Sequence, residues 1–457
     1  MMKFLGLALI TVTVRLLALL LFPNAFQEDP DAYRALALTL SEYGVFGLTD
    51  GRGTAIPTAF RPPLYPWLLS FCVEGNRLLS HRVVLVHLAC AVTTSLATYA
   101  AARRLMAGAP SASNSRFQRL PSPDALAFVA ALLTVVDPIL LRQSTELMTE
   151  TLATAISAGI MLLWTMHCPP FHKASDHEDE APGNPRIRVL FGLGFLLAGA
   201  YLCRPTFLVW AVLIVFAVCV RSWRNGLRDL VVSSSVIALP IVLAVIGWTI
   251  RNQRVTGHAV WATTHGGYTL LLANNELFYD YLRDGAWGET WDAEPFFNAY
   301  RHRYDDDPKT RAFWRRNWSG SEPAQTSSNE YDDDRRCYEA AKATISRQPW
   351  MFWWSCIVRA ARLWNPLPYQ VADRSTMAIV IVGGFYLLLY IACVITMVRF
   401  RRRLLDPKWW SIGLLAFALT GVHSVYWSNL RMRAPITPGV MIVAVCSLAT
   451  RTDAKSR

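Results

Sequence analysis

The stretch TMAIVIVGGFYLLLYIACVITMV, from Thr376 to Val398, contains no charged side chain. About 20 apolar residues in a helix cross the roughly 30 Å hydrocarbon core of a bilayer. Because lipid offers no hydrogen-bond partners, such a run must satisfy its own backbone groups as a helix. The basic segment 399–408 follows it and predicts that this end faces the cytoplasm. The stretch therefore predicts one span of an integral membrane protein.

Nine more apolar runs of spanning length lie along the 457-residue chain, of which 53% is hydrophobic. With the N-terminus inside, the basic segments 102–123, 168–186, 222–228 and 399–408 all become cytoplasmic, as the positive-inside rule requires. The first run is interpreted as a span because it is too long for the apolar region of a signal peptide. The fold class is therefore an all-α polytopic membrane protein with about ten transmembrane helices. The predicted spans are 4–22, 79–101, 124–142, 145–167, 187–202, 206–221, 229–249, 376–398, 409–427 and 434–450.

Two long polar segments, 23–78 and 250–375, remain on the extracytoplasmic side. Residues 1–249 then form an N-terminal transmembrane module whose first outer loop, 23–78, is expected to contain amphipathic helices and the catalytic residues. Residues 250–375 form a small outer domain, and 376–457 the C-terminal helices. Within the outer domain, PWMFWWSCIVRAARLW (349–364) is aromatic and amphipathic, which predicts a helix lying at the membrane interface. The polar segment 305–336 predicts a partly mobile surface loop.

The chain is basic, with a net charge of +12. In a membrane protein, basic loops indicate orientation and contact with anionic lipid headgroups, so no nucleic-acid partner is expected. Nine cysteines are present without a CxxC pair, which favours neither a zinc site nor a disulfide framework.

The first outer loop carries the most informative motif, QEDPDAYRALALTLSEYGVFG at 27–47. Its helical spacing begins near Ala32, so Asp29 and Asp31 lie just before a helix and just past the outer end of the first span. A carboxylate there can act as a general base on an acceptor hydroxyl or amine, or help to hold a divalent metal. The alternative is that either aspartate only caps the helix.

A second motif in this loop, PTAFRPPLYPWLL at 57–69, contains Arg61 and Tyr65. The prolines stiffen the chain before the next helix and hold Arg61 near the outer headgroups. There Arg61 can bind a phosphate, or it can simply anchor the protein to lipid headgroups.

Several arginines lie at outer ends of spans, where orientation does not require positive charge. Partial burial would strengthen their attraction for an anionic ligand, whereas scattered snorkelling to headgroups is the alternative. They are Arg142, Arg204, Arg251, Arg431 and Arg433.

Three further charged residues lie within or between spans. Arg15 interrupts the first span and predicts a polar partner inside the bundle, with ligand binding as the alternative. Glu146 and Glu150 are four residues apart in an outer turn, so they share a face if that turn is helical. Either could complete an acidic site with Asp29, or both could belong to a solvated turn.

The order and placement of these motifs resemble the GT-C membrane glycosyltransferases, in the branch of the dolichyl-phosphate-mannose protein mannosyltransferases and the aminoarabinose lipid A transferases. The resemblance covers most of the chain. It rests on Asp29-x-x-x-Tyr33, Arg61-Pro62-Pro63-Leu64-Tyr65-Pro66, Glu146 to Glu150, Arg204-Pro205-Thr206, Trp248 to Asn252, Arg362 to Pro366, and Arg431-Met432-Arg433-Ala434-Pro435.

This resemblance implies an inverting transfer of a sugar from a polyprenyl-phosphate donor to a lipid, glycan or protein acceptor. It implies that Asp29 is the general base, with Asp31 as a second candidate, and that Glu150 is the second acidic residue. Arg61, Arg431 and Arg433 would bind the lipid phosphate, with Arg204 as a further candidate. Met432 departs from the family, which often has an aromatic residue there. The resemblance also implies a bacterial inner membrane, with the site facing the periplasm.

A membrane transporter or flippase for an anionic lipid-linked substrate is the main alternative. Transporters often show internal repeats and binding groups near mid-bilayer, whereas here the candidates gather at one face and no repeat is visible. A membrane scaffold whose outer domain only binds a partner is a further alternative, but it would give Asp29 and Arg61 no role.

Overall fold

The computed structural model describes residues 2–22, 24–107, 122–168, 185–285, 290–305, 307–318, 329–368 and 375–449. These residues are mostly helical, with two small antiparallel hairpins that pair β1 (Gly47–Thr49) with β2 (Ala55–Pro57) and β3 (Val73–Glu74) with β4 (Arg77–Leu78). The α-helices are α1 Met2–Leu21, α2 Tyr33–Tyr43, α3 Leu64–Ser70, α4 Ser80–Met106, α5 Pro123–Val135, α6 Pro138–Gln143, α7 Glu150–His167, α8 Pro185–Cys203, α9 Phe207–Trp223, α10 Leu227–Thr256, α11 Gly266–Ala273, α12 Glu276–Asp284, α13 Glu294–Arg301, α14 Pro308–Arg316, α15 Glu330–Arg347, α16 Pro349–Trp364, α17 Thr376–Arg399, α18 Arg401–Leu404, α19 Trp410–Val425 and α20 Thr437–Val445. Short 3-10 helices occupy Pro407–Trp409, Leu430–Ile436 and Cys446–Leu448.

Every predicted span contains helical structure, although residue 450 of the last one lies outside the described residues. Among the described residues, five helices (α1, α4, α8, α10 and α17) are long and apolar enough to cross a membrane, judged by length and composition. The helices under the other five predicted spans are shorter or less apolar. The prediction of an all-α polytopic membrane protein is confirmed.

Two predicted spans and one predicted boundary differ from the structure. The span at 124–142 is broken, because Pro138 begins a new helix whose first turn is capped by Asp137, which accepts the N–H of Leu140 at 2.9 Å. The span at 145–167 begins as a helix only at Glu150. The boundary at 249 falls inside α10, which continues to Thr256.

The predicted cytoplasmic ends of α1, α4 and α5 meet at Asp124. Its carboxylate accepts hydrogen bonds from Lys3 and, at 2.6 Å, from the Tyr99 hydroxyl, and it lies 3.1 Å from Nε of Arg103. Arg403 donates to the carbonyl of Leu105 at 2.9 Å in the same region. Lys3, Arg103 and Arg403 therefore share one end of the bundle, and the first loop lies at the other end of α1 and α4.

The first loop folds into α2, α3 and the two hairpins, so the predicted amphipathic helices are present and the hairpins are additional. Buried Phe26, Tyr33, Tyr65 and Leu69 form a small core beneath the loop. Aromatic edge-to-face packing between Tyr33 and Tyr65, with ring centroids 5.2 Å apart, joins α2 to α3.

The outer segment forms helices α11 to α16, and residues of α11, α13, α14 and α15 pack around buried aromatic side chains such as Phe296 and Trp314. The predicted surface loop at 305–336 is wrong in part, because α14 and the start of α15 lie within it; residues 306 and 319–328 fall outside the described residues. Side-chain caps begin both helices: Asp307 accepts the N–H of Thr310 at 2.8 Å, and Asn329 caps α15. The predicted amphipathic helix at 349–364 is α16.

Candidate active site

Asp29 and Asp31 precede α2 but are engaged differently. The Asp29 carboxylate accepts the backbone N–H groups of Arg34 and Ala35 at 3.1 and 3.2 Å, so it caps the first turn of α2. Between the aspartates and the helix, Ala32 has a left-handed backbone with φ of 60°, which is unfavourable for a residue with a side chain. Such strained positions cluster at functional sites.

Asp31 pairs instead with Arg61. Nη2 of Arg61 donates to Oδ1 of Asp31 at 2.7 Å, and Nε of Arg61 donates to the Asp31 carbonyl at 3.0 Å. The guanidinium also stacks on the rings of Phe60 and Tyr33, at 4.4 and 5.9 Å from their centroids. Both charged side chains are mostly buried.

The backbone beside Arg61 is held from two sides. Glu330, the first residue of α15, accepts the N–H of Ala59 at 2.7 Å and the hydroxyl of Thr58. Arg251, near the end of α10, donates to the carbonyls of Thr58 and Phe46, both at 2.6 Å. The outer domain and the membrane bundle therefore jointly determine where Arg61 lies.

Glu150 forms the second acidic position, at the start of α7. Its side chain is only 2% exposed, and its Oε1 lies 3.4 Å from Nη1 of Arg204 and 3.7 Å from Nε of Arg431. Nη2 of Arg431 lies 3.9 Å from Oδ2 of Asp31. Arg431 therefore bridges the two carboxylates. Burial alone lowers the pKa of Arg431, but the charges of Glu150 and Asp31 raise it above its ordinary value, so it stays protonated.

The cluster contains three arginines (Arg61, Arg204 and Arg431) and two carboxylates (Asp31 and Glu150), which leaves one positive charge in excess. Tyr33 lies among these charges. Its phenol has a pKa raised by burial, which outweighs the opposing effect of Arg61, so the hydroxyl stays neutral. Tyr33 was not predicted as a site residue, although its place in the Asp29-x-x-x-Tyr33 motif was a usable signal.

A cavity of about 350 Å³ opens beside this cluster. Arg431 contributes to its wall together with Phe22, Glu28, Arg142, Glu146 and Met148. Glu146 is held by Arg142 Nε at 2.7 Å and by the amide of Gln143 at 2.8 Å. The cavity therefore joins the outer end of α1 to the charged cluster, and its volume suits a sugar-sized group.

Of the other predicted site residues, Tyr65 packs edge to face against Tyr33 at the margin of the cluster, whereas Arg433 and Arg15 have their neighbours elsewhere. Arg433 is 3% exposed and donates to the carbonyls of Leu363 and Asn365. Tyr65 is buried, and its hydroxyl contacts Nε2 of His87 at 2.9 Å. Arg15 is 5% exposed inside the bundle, where Nε and Nη1 have no hydrogen-bond partner among the described residues.

The donor set does not fit a resident divalent metal. In the described part of the chain, no group of three or more His, Cys, Asp or Glu side chains is placed to hold a metal ion. Asp31 and Glu150 are both paired with arginines, and Arg431 occupies the position between them that a bridging cation would need. Hard divalent cations require several oxygen ligands and are repelled by an adjacent guanidinium.

No protein-family model and no curated protein match the chain. Its structure matches the archaeal oligosaccharyltransferase AglB from Archaeoglobus fulgidus, in complex with an inhibitory peptide and a dolichol-phosphate, with a TM-score of 0.52 at 12% identity. The match covers 97% of this chain and 49% of that one. The chain has the GT-C fold.

A second structure with this GT-C fold is the same oligosaccharyltransferase tethered to an acceptor peptide, with a TM-score of 0.52, 12% identity and coverage of 97% and 48%. ArnT from Cupriavidus metallidurans bound to undecaprenyl phosphate matches with a TM-score of 0.39 and 15% identity, over 96% of this chain and 77% of that one. The chain spans about half the length of the oligosaccharyltransferase. At 12% identity the likeness to the oligosaccharyltransferase establishes the GT-C fold and no more.

Proposed function

We propose that this protein is a glycosyltransferase that moves a sugar from a polyprenyl phosphate to an acceptor on the extracytoplasmic face of a membrane. The observation that carries the proposal is the charged cluster in which Arg431 bridges Asp31 and Glu150 beside Arg61 and Arg204. Its net positive charge suits an anionic ligand. The oligosaccharyltransferase structure with a bound dolichol-phosphate, which shares the GT-C fold, agrees with a lipid phosphate as that ligand.

Arg61, Arg204 and Arg431 would bind the donor phosphate. When the bond between the anomeric carbon and the phosphate oxygen breaks, the electron pair stays on that oxygen and its negative charge grows. Arginines already held in place stabilise this charge without reorganising. Glu150 would hold Arg204 and Arg431 ready for the phosphate, as its two ion pairs indicate.

Asp31 would be the general base. It would take the proton of an acceptor hydroxyl or amine while the acceptor atom attacks the anomeric carbon from the face opposite the phosphate, so the configuration inverts. Arg61 would have to release Asp31 as it turns to the incoming phosphate. Asp29, whose two oxygens accept the first amides of α2, would position Asp31 rather than take the proton.

The cavity beside Arg431 would receive the reacting sugar or the acceptor. We propose that the site faces the outside, because Lys3, Arg103 and Arg403 lie together at the opposite end of the bundle. A bacterial inner membrane is proposed from the resemblance to the GT-C family alone. A panel of donor sugars and acceptors identifies which of each the protein uses.

The test is to incubate the purified protein in lipid nanodiscs with a panel of polyprenyl-phosphate sugars and acceptors, and to measure the release of polyprenyl phosphate. The proposal expects release that depends on both substrates and is lost in Arg431→Ala. Transport of an intact lipid-linked sugar without cleavage would support the flippase alternative instead.

A further inference from the structure

Arg433 is oriented away from the charged cluster. It lies two residues after Arg431 on the 3-10 helix Leu430–Ile436, and a 3-10 helix has three residues per turn, so the two side chains leave on different sides. Nη1 of Arg433 donates to the carbonyls of Leu363 and Asn365, at 3.0 and 2.6 Å, where α16 ends. Its guanidinium thereby anchors the 3-10 helix to the end of α16.

A buried tyrosine links Arg433 to a buried carboxylate. The guanidinium stacks over the Tyr386 ring at 4.2 Å, and the Tyr386 hydroxyl donates to Oδ2 of Asp137 at 2.8 Å. Asp137 is fully buried, and its other oxygen caps α6 through the N–H of Leu140. The chain Arg433–Tyr386–Asp137 therefore joins the 3-10 helix to α17 and α6.

Burying Arg433 in this Arg433–Tyr386–Asp137 arrangement carries a free-energy penalty that apolar packing would not have. Among the described residues, Arg433 forms no salt bridge, and its Nη2 is buried without a hydrogen-bond partner. A buried cation without a directly paired anion is unfavourable, and apolar side chains of similar volume would pack at less cost. What distinguishes this position is that the segment anchored here carries Arg431.

We propose that Arg433, Tyr386 and Asp137 form a buried positioning device for Arg431. These three side chains hold the 3-10 helix so that Arg431 reaches the site. They do not bind the donor phosphate themselves. α6 leads into the turn before Glu150, so Asp137 aligns both partners of the Glu150–Arg431 pair. The ligand part of this inference rests on the proposed function.

The first test needs no ligand. Tyr386→Phe removes the hydrogen bond to Asp137 but keeps the ring beneath Arg433. Tyr390→Phe is the matched control, because Tyr390 lies in the same helix beside Arg433 and its buried hydroxyl has no partner among the described residues. Amide hydrogen exchange of residues 430–436 should become faster in Tyr386→Phe and stay unchanged in Tyr390→Phe. Equal exchange in both variants would overturn the inference, whatever the protein binds.

The second test measures binding of a short-chain polyprenyl phosphate. Tyr386→Phe should raise the Kd on the order of tenfold, and Tyr390→Phe by less than about twofold. In an Arg431→Ala background, Tyr386→Phe should raise the Kd by less than a further factor of about two, because the residue that Tyr386 helps to position is then absent. An equal fold-loss in both backgrounds would overturn the inference. A wild-type protein that binds polyprenyl phosphate no better than polyprenol would instead contradict the proposed function, and hydrogen exchange would still decide the positioning device.

Discussion

Arg61 and Asp31 are joined side chain to side chain at 2.7 Å and side chain to backbone at 3.0 Å, although 30 residues separate them in the chain. The pair closes the first outer loop on itself. Because Thr58 and Ala59 are held by Glu330 of the outer domain, the position of Arg61 also depends on a residue about 270 positions further along.

Replacing Glu330 should therefore impair the site from outside it. Glu330→Ala removes both hydrogen bonds to the loop, so we expect donor turnover to fall roughly tenfold through displacement of Arg61. Glu330→Gln should retain most activity, because an amide can still accept from Ala59 and contact Thr58. Glu339→Ala, at an exposed position of the same helix, is the matched control. Equal turnover in Glu330→Ala and Glu339→Ala would show that the contact does not position Arg61.

Removal of divalent metal should leave activity unchanged. A unit charge at 4 Å from Arg431 would be repelled by about 4 kcal/mol at an effective dielectric of 20, and a divalent cation by about twice as much. We expect turnover with a chelator to stay within about twofold of that with added Mg²⁺ or Mn²⁺. In Arg431→Ala, which lacks the repelling guanidinium, we expect the binding of a divalent cation to become measurable. A chelated wild-type enzyme that regains activity only with Mn²⁺ would contradict this view of the site.

Hydropathy and loop charge were sufficient to predict the helical bundle, because a long apolar run in lipid can satisfy its own backbone hydrogen bonds only as a helix. They failed at 124–149, where Asp137-Pro138 starts a new helix within an apolar stretch. That signal was present in the sequence, but hydropathy averages over it. The outer helices α14 and α15 were missed because polar composition obscured their side-chain caps at Asp307 and Asn329.

The sequence predicted which kinds of side chain meet in the site, but not which partner each one takes. Asp31, Arg61, Glu150, Arg204 and Arg431 were all among the predicted site residues and lie together. Two arginines that also stood at outer helix ends, Arg251 and Arg433, are bound to backbone carbonyls instead. Every residue has a carbonyl, so sequence gives no sign of which one an arginine will meet.

Asp334 should make the stability of the outer domain depend on pH. Burial raises the pKa of this carboxyl to about 7, with Glu330 and Asp333 adding to the rise and the amides of Gly267 and Tyr268 opposing it. Between pH of about 4 and 7 the folded protein then holds a proton that the unfolded chain has lost. The free energy of unfolding should fall with rising pH across this window, by at most about 1.4 kcal/mol per unit, and level off above it.

Asp334→Asn should flatten this dependence and be the more stable protein at pH 8. Its amide oxygen can still accept the N–H of Gly267, which the carboxylate accepts at 2.6 Å. Denaturant unfolding followed by tryptophan fluorescence at pH 4.5 to 8 measures the effect. Parallel curves for the two proteins would show that Asp334 titrates at its ordinary pKa.

The most direct test of the proposed mechanism compares Asp31→Asn with Asp29→Asn in the polyprenyl-phosphate release assay. Both substitutions keep an oxygen in place, and thermal unfolding checks that both variants are folded. If Asp31 is the base, Asp31→Asn should lose on the order of a hundredfold or more in turnover, while Asp29→Asn, still able to cap α2, should lose less than about tenfold. Full activity in Asp31→Asn, or the larger loss in Asp29→Asn, would contradict the assignment.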